Sequence, residues 1–387
     1  MEIKMKKTNI SALLLAALLL IQLLCAPVSA VTAEPAADAQ ADAQTASDNS
    51  AGDASAEADS VPEDQLLSSR EQFSVAAKAA LLIDLNTNRV VYEQDADERV
   101  YPASLTKIMT CLIALENGNL SDVVTVSESA LADLDEDSSV AGLVVGEQMT
   151  LENLLYCMMV VSGNDACNVI AEHVAGSVTD FVRMMNQRAY ELGCTNTHFN
   201  NPHGLHDESH YTTARDLAII TQAALKSENF RQIVDTYEYK LPDDNMRQNI
   251  PKLKTTNMLI YQSMSNSLYY PRAHGIKTGY TSQAGRCVIS EATGDGLDLL
   301  GIVCGAATTV LDSGDLLMEN FTECARLFDY GFDNYSYLTL MSPLYPVDQV
   351  KINNSAGAEA VAVAPEDEIK VLLPNDYDPD KLSLIHI

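Results

Sequence analysis

A serine and a lysine stand three residues apart, at Ser104 and Lys107, in the stretch YPASLTKIMT. Residues three apart in a helix share one face, so the lysine amine reaches the serine hydroxyl. A lysine held in a poorly solvated cleft loses its proton more easily and then serves as a base for the hydroxyl. The pattern therefore indicates a nucleophile with its base, and an ordinary amphipathic helix is the alternative.

Two further stretches place polar groups where they can face a cleft. In VVSGNDACN, Ser162 and Asn164 stand between two apolar helical segments, and a plain capping turn is the alternative to a functional loop. In HGIKTGYTSQAG, Lys277, Thr278 and Gly279 lie at the edge of a predicted strand, where a glycine lets a substrate backbone approach closely. A β-turn with an exposed lysine is the alternative there. The three stretches are far apart in the chain, so we expect three structural elements to converge on one cleft.

Taken in order, the patterns S-x-x-K, S-x-N and K-T-G are typical of penicillin-binding proteins and class A β-lactamases. The phrases YPASLTKIMT, SGNDACN, NPHGLHDESHYTTARDLA and GIKTGYTSQAGRC resemble the serine D-alanyl-D-alanine carboxypeptidases, the low-molecular-weight penicillin-binding proteins of peptidase family S11. The similarity covers about residues 76–332. It implies an α/β (α+β) fold, in which an antiparallel sheet is flanked by helices beside an all-helical subdomain. A small all-β C-terminal domain is expected to follow.

The resemblance implies a catalytic role for residues of the first two motifs. Ser104 is expected to be the acylated nucleophile and Lys107 its base. Ser162 is expected to relay a proton to the leaving D-alanine, and Asn164 to hold the peptide.

The resemblance also implies how the substrate is bound. Lys277 and Thr278 are expected to bind the terminal carboxylate, and Gly279 to let the substrate approach the strand. The backbone N–H groups of Ser104 and Tyr280 are expected to form the oxyanion hole, because donors aimed at developing charge stabilise the transition state. No metal and no cofactor is expected.

The activity implied is that of an exported serine D-Ala-D-Ala carboxypeptidase. Such an enzyme removes the terminal D-alanine from peptidoglycan stem peptides through an acyl-enzyme, and β-lactams that acylate Ser104 inhibit it. The alternatives are a β-lactamase or DD-endopeptidase of the same fold, or a non-catalytic protein that binds β-lactams or peptidoglycan. Class A β-lactamases use a glutamate and a bound water for deacylation. No E-x-x-L-N segment occurs in the middle region, which disfavours a β-lactamase.

One feature departs from the family pattern. Some members carry an arginine after the final strand pair that helps to bind the terminal carboxylate. No arginine occurs here between Arg286 and Arg326. The preference for carboxypeptidase over endopeptidase or transpeptidase activity is therefore less firmly implied.

The N-terminal region and the charge bear on location and partners. Lysines precede an apolar run, and Val28, Ser29 and Ala30 form a signal-peptidase pattern, so residues 1–30 are predicted to be a signal peptide for export. Residues 31–65 are acidic and poor in apolar residues, which predicts a disordered linker. The formal charge of −30 disfavours nucleic acid and anionic lipid as partners. Family members often anchor through a C-terminal amphipathic helix, so membrane association through a segment beyond residue 387 is an open expectation.

Strand patterns lie at both ends of the catalytic region, predicted as 66–335, and helices fill its middle. A hairpin is predicted over 77–92, paired strands at GRCVISEAT and LDLLGIVCGAA, and short strands in a C-terminal β domain over 336–387. Capping and stop residues predict several helices. Two are predicted over 103–116 and over 316–330, the second with Gly331 as its stop. Three begin at a capping threonine: one runs from Thr150 to 160, one from Thr179 to Gly193, and one from Thr212 or Thr213 to 227.

Cysteine and histidine do not indicate a disulfide map or a metal site. Seven cysteines remain after the signal segment, mostly in apolar surroundings, and are predicted to be buried free thiols. His203, His206 and His210 lie with Asp207 in a stretch that contains Asn-Pro and Gly204. That composition predicts an irregular loop without helical ligand spacing, so we expect no zinc there.

Overall fold

The computed structural model describes residues 73–132, 134, 138–243, 245–246, 252–310, 316–351 and 360–378. The predicted signal peptide and acidic linker lie outside these residues. The strands are β1 (Ala79–Asp84), β2 (Arg89–Gln94), β3 (Val123–Thr125), β4 (Gln148–Thr150), β5 (Glu238–Tyr239), β6 (Leu253–Lys254), β7 (Ala273–Thr281), β8 (Gly285–Gly294), β9 (Leu297–Ala306), β10 (Thr308–Val310), β11 (Leu316–Met318), β12 (Tyr335–Met341), β13 (Asp348–Lys351), β14 (Ala360–Val363) and β15 (Ile369–Pro374). A 3₁₀ turn spans Ala103–Thr106, and the helices are α1 (Lys107–Asn117), α2 (Glu128–Ala132), α3 (Leu151–Val160), α4 (Asn164–Ala175), α5 (Val178–Glu191), α6 (Ala214–Leu225), α7 (Glu228–Val234) and α8 (Glu319–Asn334).

The main sheet joins the two ends of the catalytic region. Its strand order is β2-β1-β9-β8-β7, and every neighbouring pair is antiparallel. Strand β1 is apolar almost throughout and fully buried, because helices cover both faces of the sheet. The helices α1 to α7 lie in the chain between β2 and β7. The predicted fold class, an antiparallel sheet flanked by helices with a helical region inserted, is confirmed.

The last helix differs from its prediction. It spans Glu319–Asn334, while Leu316–Met318 pairs as a strand with Thr308–Val310. Gly331 lies inside the helix and does not end it. A Cβ at Gly331 would lie 2.7 Å from Leu299 Cδ1 and 2.9 Å from Leu82 Cδ2. The glycine therefore serves close packing of α8 on the sheet, a role that its local sequence does not distinguish from a helix stop.

Side-chain caps set the starts of the middle helices. Thr150 caps α3, as predicted, by accepting a hydrogen bond from Asn153 N at 3.2 Å. Thr213 is the cap of α6, which settles the predicted choice between Thr212 and Thr213. The cap of α5 is Ser177 and not Thr179, because the helix begins two residues earlier than predicted. Each cap satisfies a backbone N–H that has no partner within its helix.

The residues after α8 form short antiparallel pairs. Strand β12 pairs with β15 and β13 with β14, so the short strands expected in this region are present. Leu372 of β15 is buried, and its carbonyl oxygen accepts a hydrogen bond from Arg89 Nη1 at 2.6 Å. Tyr337 OH donates to the carboxylate of Asp84 at 2.5 Å. The proposed boundary between the catalytic and β domains at 335–336 stays a prediction.

The seven described cysteines are free and buried, which confirms that prediction. Within the described residues, no helix combines the length and the apolar character needed to cross a bilayer.

A half-buried carboxyl group makes stability depend on pH. Desolvation raises the pKa of Asp298 from 3.8 to about 7, and the Glu291 carboxylate beside it adds to the rise. Between these values the folded state keeps a proton that the unfolded state has lost, so stability falls as pH rises from about 4 to 7. Asp298→Asn is expected to unfold at higher urea concentration than wild type at pH 8, with a smaller difference at pH 5. An identical pH dependence in both proteins would contradict this assignment.

Candidate active site

Ser104 lies in the 3₁₀ turn that leads into α1. The turn is held by Leu105 N, which donates to Pro102 O at 3.1 Å, and by Thr106 Oγ1, which donates to Ala103 O at 2.8 Å. The predicted helix over 103–116 is therefore confirmed in position, with a tighter first turn. This geometry puts the Ser104 hydroxyl at the amino end of a helix, where backbone N–H groups lack helical partners.

Lys107 is fully buried and has three polar contacts. Its Nζ lies 2.9 Å from Ser104 Oγ, 2.7 Å from Asn164 Oδ1 and 2.8 Å from the carbonyl oxygen of His203. A neutral amine has two N–H groups and one lone pair. The amide and carbonyl oxygens can only accept, so they take the two N–H groups, and the lone pair is left for the Ser104 O–H. The contact set suits an unprotonated lysine that accepts the serine proton.

Burial also favours the neutral form of this amine. Burial lowers the pKa of Lys107 from its ordinary value, while the charges of Cys167 and Asp165 raise it by a smaller amount. Burial lowers the pKa of Lys277 well below its usual range, and the nearby Lys107 lowers it further. Two lysines that are 170 residues apart in the chain thus share one desolvated site, as the motif pattern predicted.

The Ser162 segment forms the junction between α3 and α4. Ser162 has a φ of 64°, in the left-handed region that non-glycine residues rarely adopt. Gly163 N donates to Cys157 O at 3.1 Å, and Asn164 N donates to Ser139 O at 2.8 Å, which holds this backbone in place. Asn164 is the first residue of α4, so its side chain reaches Lys107 across the helix start. Strained backbone of this kind is often found at functional sites.

The K-T-G segment lies on a strand, β7, and this strand forms one edge of the sheet. A Cβ at Gly279 would lie 3.0 Å from Ser104 N and 3.0 Å from Pro102 O. The strand therefore packs directly against the turn that carries the serine. Thr278 Oγ1 lies 2.6 Å from Thr256 Oγ1, and Tyr280 follows with an exposed ring. The structure brings all three motifs together, while the individual role of each residue stays a prediction.

The close approach at Gly279 makes a testable prediction. Gly279→Ala adds a methyl group against backbone atoms, so the turn that carries Ser104 must shift by a few tenths of an ångström. We expect acylation by a labelled penicillin to slow by roughly 10- to 100-fold, because small displacements of a nucleophile are costly. Gly294→Ala on β8 is the matched control, since its methyl group meets the flexible side chain of Arg272. Equal acylation rates in the two variants would contradict the prediction.

Three contributors to the site carry no motif signal strong enough to be predicted. The carbonyl oxygen of His203 contacts Lys107 from the loop before α6. The carboxylate of Asp165 accepts hydrogen bonds from Ala141 N and Leu143 N, both at 2.9 Å, and so ties the loop before β4 to α4. Asp165 is adjacent to Asn164 in the second motif, which is the one available clue. Thr256 reaches Thr278 from the segment before β7, and nothing in its local sequence indicates this.

The histidine-rich loop acts as a support for the serine turn. His210 Nδ1 accepts a hydrogen bond from Asn200 N at 3.2 Å, so the ring proton is on Nε2. Nε2 then donates this proton in a hydrogen bond to Thr106 Oγ1 at 2.8 Å. Burial lowers the pKa of His203 to about 3 and that of His210 to about 4, so both rings are neutral. The ring of His206 packs edge-on against Tyr101. Within the described ranges no three His, Cys, Asp or Glu side chains come together as a metal site would require.

Comparison with known proteins shows that this chain is similar to one enzyme family. The family model for D-alanyl-D-alanine carboxypeptidase (Peptidase_S11) matches residues 66–308. The D-alanyl-D-alanine carboxypeptidase DacF of Bacillus subtilis is 37% identical over 284 residues, which cover 71% of this chain and 67% of that protein. The corresponding enzyme DacA of Haemophilus influenzae is 35% identical over 268 residues, or 67% of this chain and 63% of that protein. The matched stretch thus spans about two thirds of the length of these relatives.

Solved structures show the same fold. Penicillin-binding protein 5 from Haemophilus influenzae is 28% identical with a TM-score of 0.63, and the match covers 79% of this chain and 85% of that one. A Streptomyces DD-transpeptidase is 29% identical with a TM-score of 0.60, and the match covers 68% of this chain and 100% of that one. Fold and site define a serine DD-peptidase of the penicillin-binding class. The chain belongs to the D-alanyl-D-alanine carboxypeptidase family, peptidase S11.

Proposed function

We propose that this protein is a serine D-Ala-D-Ala carboxypeptidase that removes the terminal D-alanine from peptidoglycan stem peptides. The observation that carries the proposal is the contact set of Lys107, whose fully buried amine lies 2.9 Å from Ser104 Oγ and also contacts Asn164 Oδ1 and the His203 carbonyl oxygen. Family membership supplies the reaction class, because relatives are named as D-alanyl-D-alanine carboxypeptidases.

In the proposed reaction, Ser104 Oγ attacks the carbonyl carbon of the penultimate D-alanine while Lys107 takes the hydroxyl proton. The N–H groups of Ser104 and Tyr280 receive the oxygen that becomes negative. Ser162 passes a proton to the departing amine, and Asn164 holds the peptide. D-Alanine then leaves, and water hydrolyses the ester on Ser104 to restore the free enzyme. No cofactor takes part.

Recognition of the terminal carboxylate is assigned to Lys277 and Thr278, with Gly279 allowing the substrate to lie along the edge strand. Without a bound carboxylate, protonation of Lys277 costs free energy, because burial removes water from the ammonium group. An incoming carboxylate favours the charged form and raises the pKa of this amine again. The hydroxyl of Thr256, which is bonded to Thr278, adds a further polar group at this position.

The protein is proposed to act outside the cytoplasm, on the basis of the signal-peptide pattern in residues 1–30. Residues 66–335 are proposed as the catalytic domain and 336–387 as a C-terminal β domain. β-Lactams are proposed to inhibit the enzyme by acylating Ser104.

The test is release of free D-alanine from a diacetylated Lys-D-Ala-D-Ala peptide, with a peptide that ends in L-alanine as control. Mass spectrometry after exposure to penicillin is expected to find the adduct on the proteolytic fragment that contains Ser104. Rapid β-lactam hydrolysis without release of D-alanine would overturn the proposal in favour of a β-lactamase. Cleavage confined to cross-linked stem peptides would favour an endopeptidase.

A further inference from the structure

Arg286 is placed beside the candidate site by the hairpin that follows the K-T-G motif. It lies on β8 directly opposite Tyr280 of the edge strand β7. Its guanidinium carbon lies 4.7 Å from the centre of the Tyr280 ring, and its Nε donates to Thr308 Oγ1 at 2.6 Å. Because side chains alternate along a strand, Thr278 and Tyr280 share one face of β7, and the guanidinium of Arg286 lies over Tyr280 on that face.

Among the described residues, the partners of this guanidinium are neutral. Arginine side chains at most other positions pair with a carboxylate within 4 Å, namely Arg183, Arg188, Arg215, Arg231, Arg272 and Arg326. Across the described ranges, Arg286 has no such pair, although the chain has 54 acidic residues against 24 basic ones. A guanidinium has five N–H donors, and the Thr308 contact uses only the one on Nε.

The two contacts also fix the direction of the side chain. The ring of Tyr280 supports one face of the guanidinium, and the Thr308 hydroxyl holds Nε. The two terminal nitrogens form the part of the fork that binds a carboxylate bidentately. Tyr280 comes directly after Gly279 and is 57% exposed, so the ring that carries the guanidinium is accessible to a ligand beside the K-T-G segment.

We propose that Arg286 is a specificity-determining residue that binds a carboxylate of the peptide substrate. This inference rests on the proposed function. Two carboxylates are chemically suitable: that of the terminal D-alanine, and that of a diamino acid earlier in the stem peptide. Arg286 would then supply a cation of the kind that some family members take from the region after their final strand pair, where this chain has none.

The experiment compares wild type, Arg286→Gln and Arg286→Lys on three peptides ending in D-Ala-D-Ala. Their third residue is lysine, diaminopimelate with a free side-chain carboxylate, or the same diaminopimelate amidated. A second pair of probes, a penicillin with a free carboxylate and its methyl ester, reports on recognition of the terminal carboxylate. A charge-assisted hydrogen bond of this type corresponds to a loss of about 10- to 100-fold in kcat/KM or in the acylation rate constant.

If Arg286 binds the diamino acid, Arg286→Gln loses activity on the free diaminopimelate peptide alone. If it binds the terminal carboxylate, the variant loses activity on all three peptides and reacts more slowly with penicillin but not with the ester. Arg286→Lys is expected to show a smaller loss on the same probes, because it keeps the charge and loses the fork. An equal loss on probes with and without the carboxylate, or no loss, would overturn the inference.

Two further variants separate recognition from folding. Arg272→Gln removes another arginine that covers an aromatic ring, Phe332, at the opposite end of β7, and it is expected to react like wild type. Thr308→Val releases Nε and is expected to give part of the Arg286→Gln loss on the same probes. If wild type releases D-alanine from no peptide, the proposed function fails, and the penicillin and ester pair then tests separately whether Arg286 binds the terminal carboxylate.

Discussion

Replacing Ser104 by alanine is expected to lower D-alanine release at least about 10⁴-fold, to the background rate of the peptide. The variant removes the atom that forms the acyl bond, and the remaining groups cannot replace a nucleophile. The hydroxyl is half-buried, and its described side-chain contact is with Lys107, so the fold is expected to survive the change. Covalent labelling by penicillin is expected to disappear together with release of D-alanine.

Ser336→Ala is a suitable control for this variant. Its hydroxyl also makes one hydrogen bond, with Asn375 Oδ1 at 2.7 Å, but it lies on β12 after the last helix. It is expected to release D-alanine at the wild-type rate. Substantial release by Ser104→Ala, in a protein that unfolds at the wild-type temperature, would show that another nucleophile does the chemistry.

Replacing Lys107 by methionine is expected to slow acylation by about 10²- to 10⁴-fold, the contribution that a general base commonly makes. Methionine is unbranched and apolar, so it fills a fully buried position well. The change removes the desolvation cost of the amine but leaves Asn164 Oδ1 and the His203 carbonyl without their donor. Because these effects on stability oppose each other, the unfolding midpoint is expected to change far less than the acylation rate.

The pH dependence of wild type tests the same assignment. Acylation requires the neutral amine, so the rate constant is expected to rise with pH and to level off above the pKa of Lys107. Burial lowers that pKa from its ordinary value of 10.5, so the plateau begins below it. Lys107→Met is expected to lack this rising limb. A wild-type rate that falls between pH 5 and 9, or a limb that persists in Lys107→Met, would assign the base elsewhere.

Local sequence determined the elements and the motifs of this protein. Apolar and β-branched runs specify the hairpin and the central strands, and Thr150 specifies where α3 begins, because caps and strand patterns depend on neighbouring residues. The order of the three motifs, together with the family resemblance, also indicates a serine DD-peptidase without any knowledge of contacts. Each single motif, cap or strand pattern is contained within one short stretch of the chain, although the three motifs are far apart from each other.

Tertiary structure decided which distant atoms complete the site. The His203 carbonyl on Lys107, the Thr256 hydroxyl on Thr278 and Arg286 over Tyr280 depend on how separate elements pack. The local sequence predicts a helix stop at Gly331, because only the packed sheet shows why a side chain is excluded there. A lysine pKa likewise depends on burial, which is a property of the folded chain. The sequence therefore determined what chemistry the motifs offer, while packing decided the geometry and desolvation that make Lys107 a base.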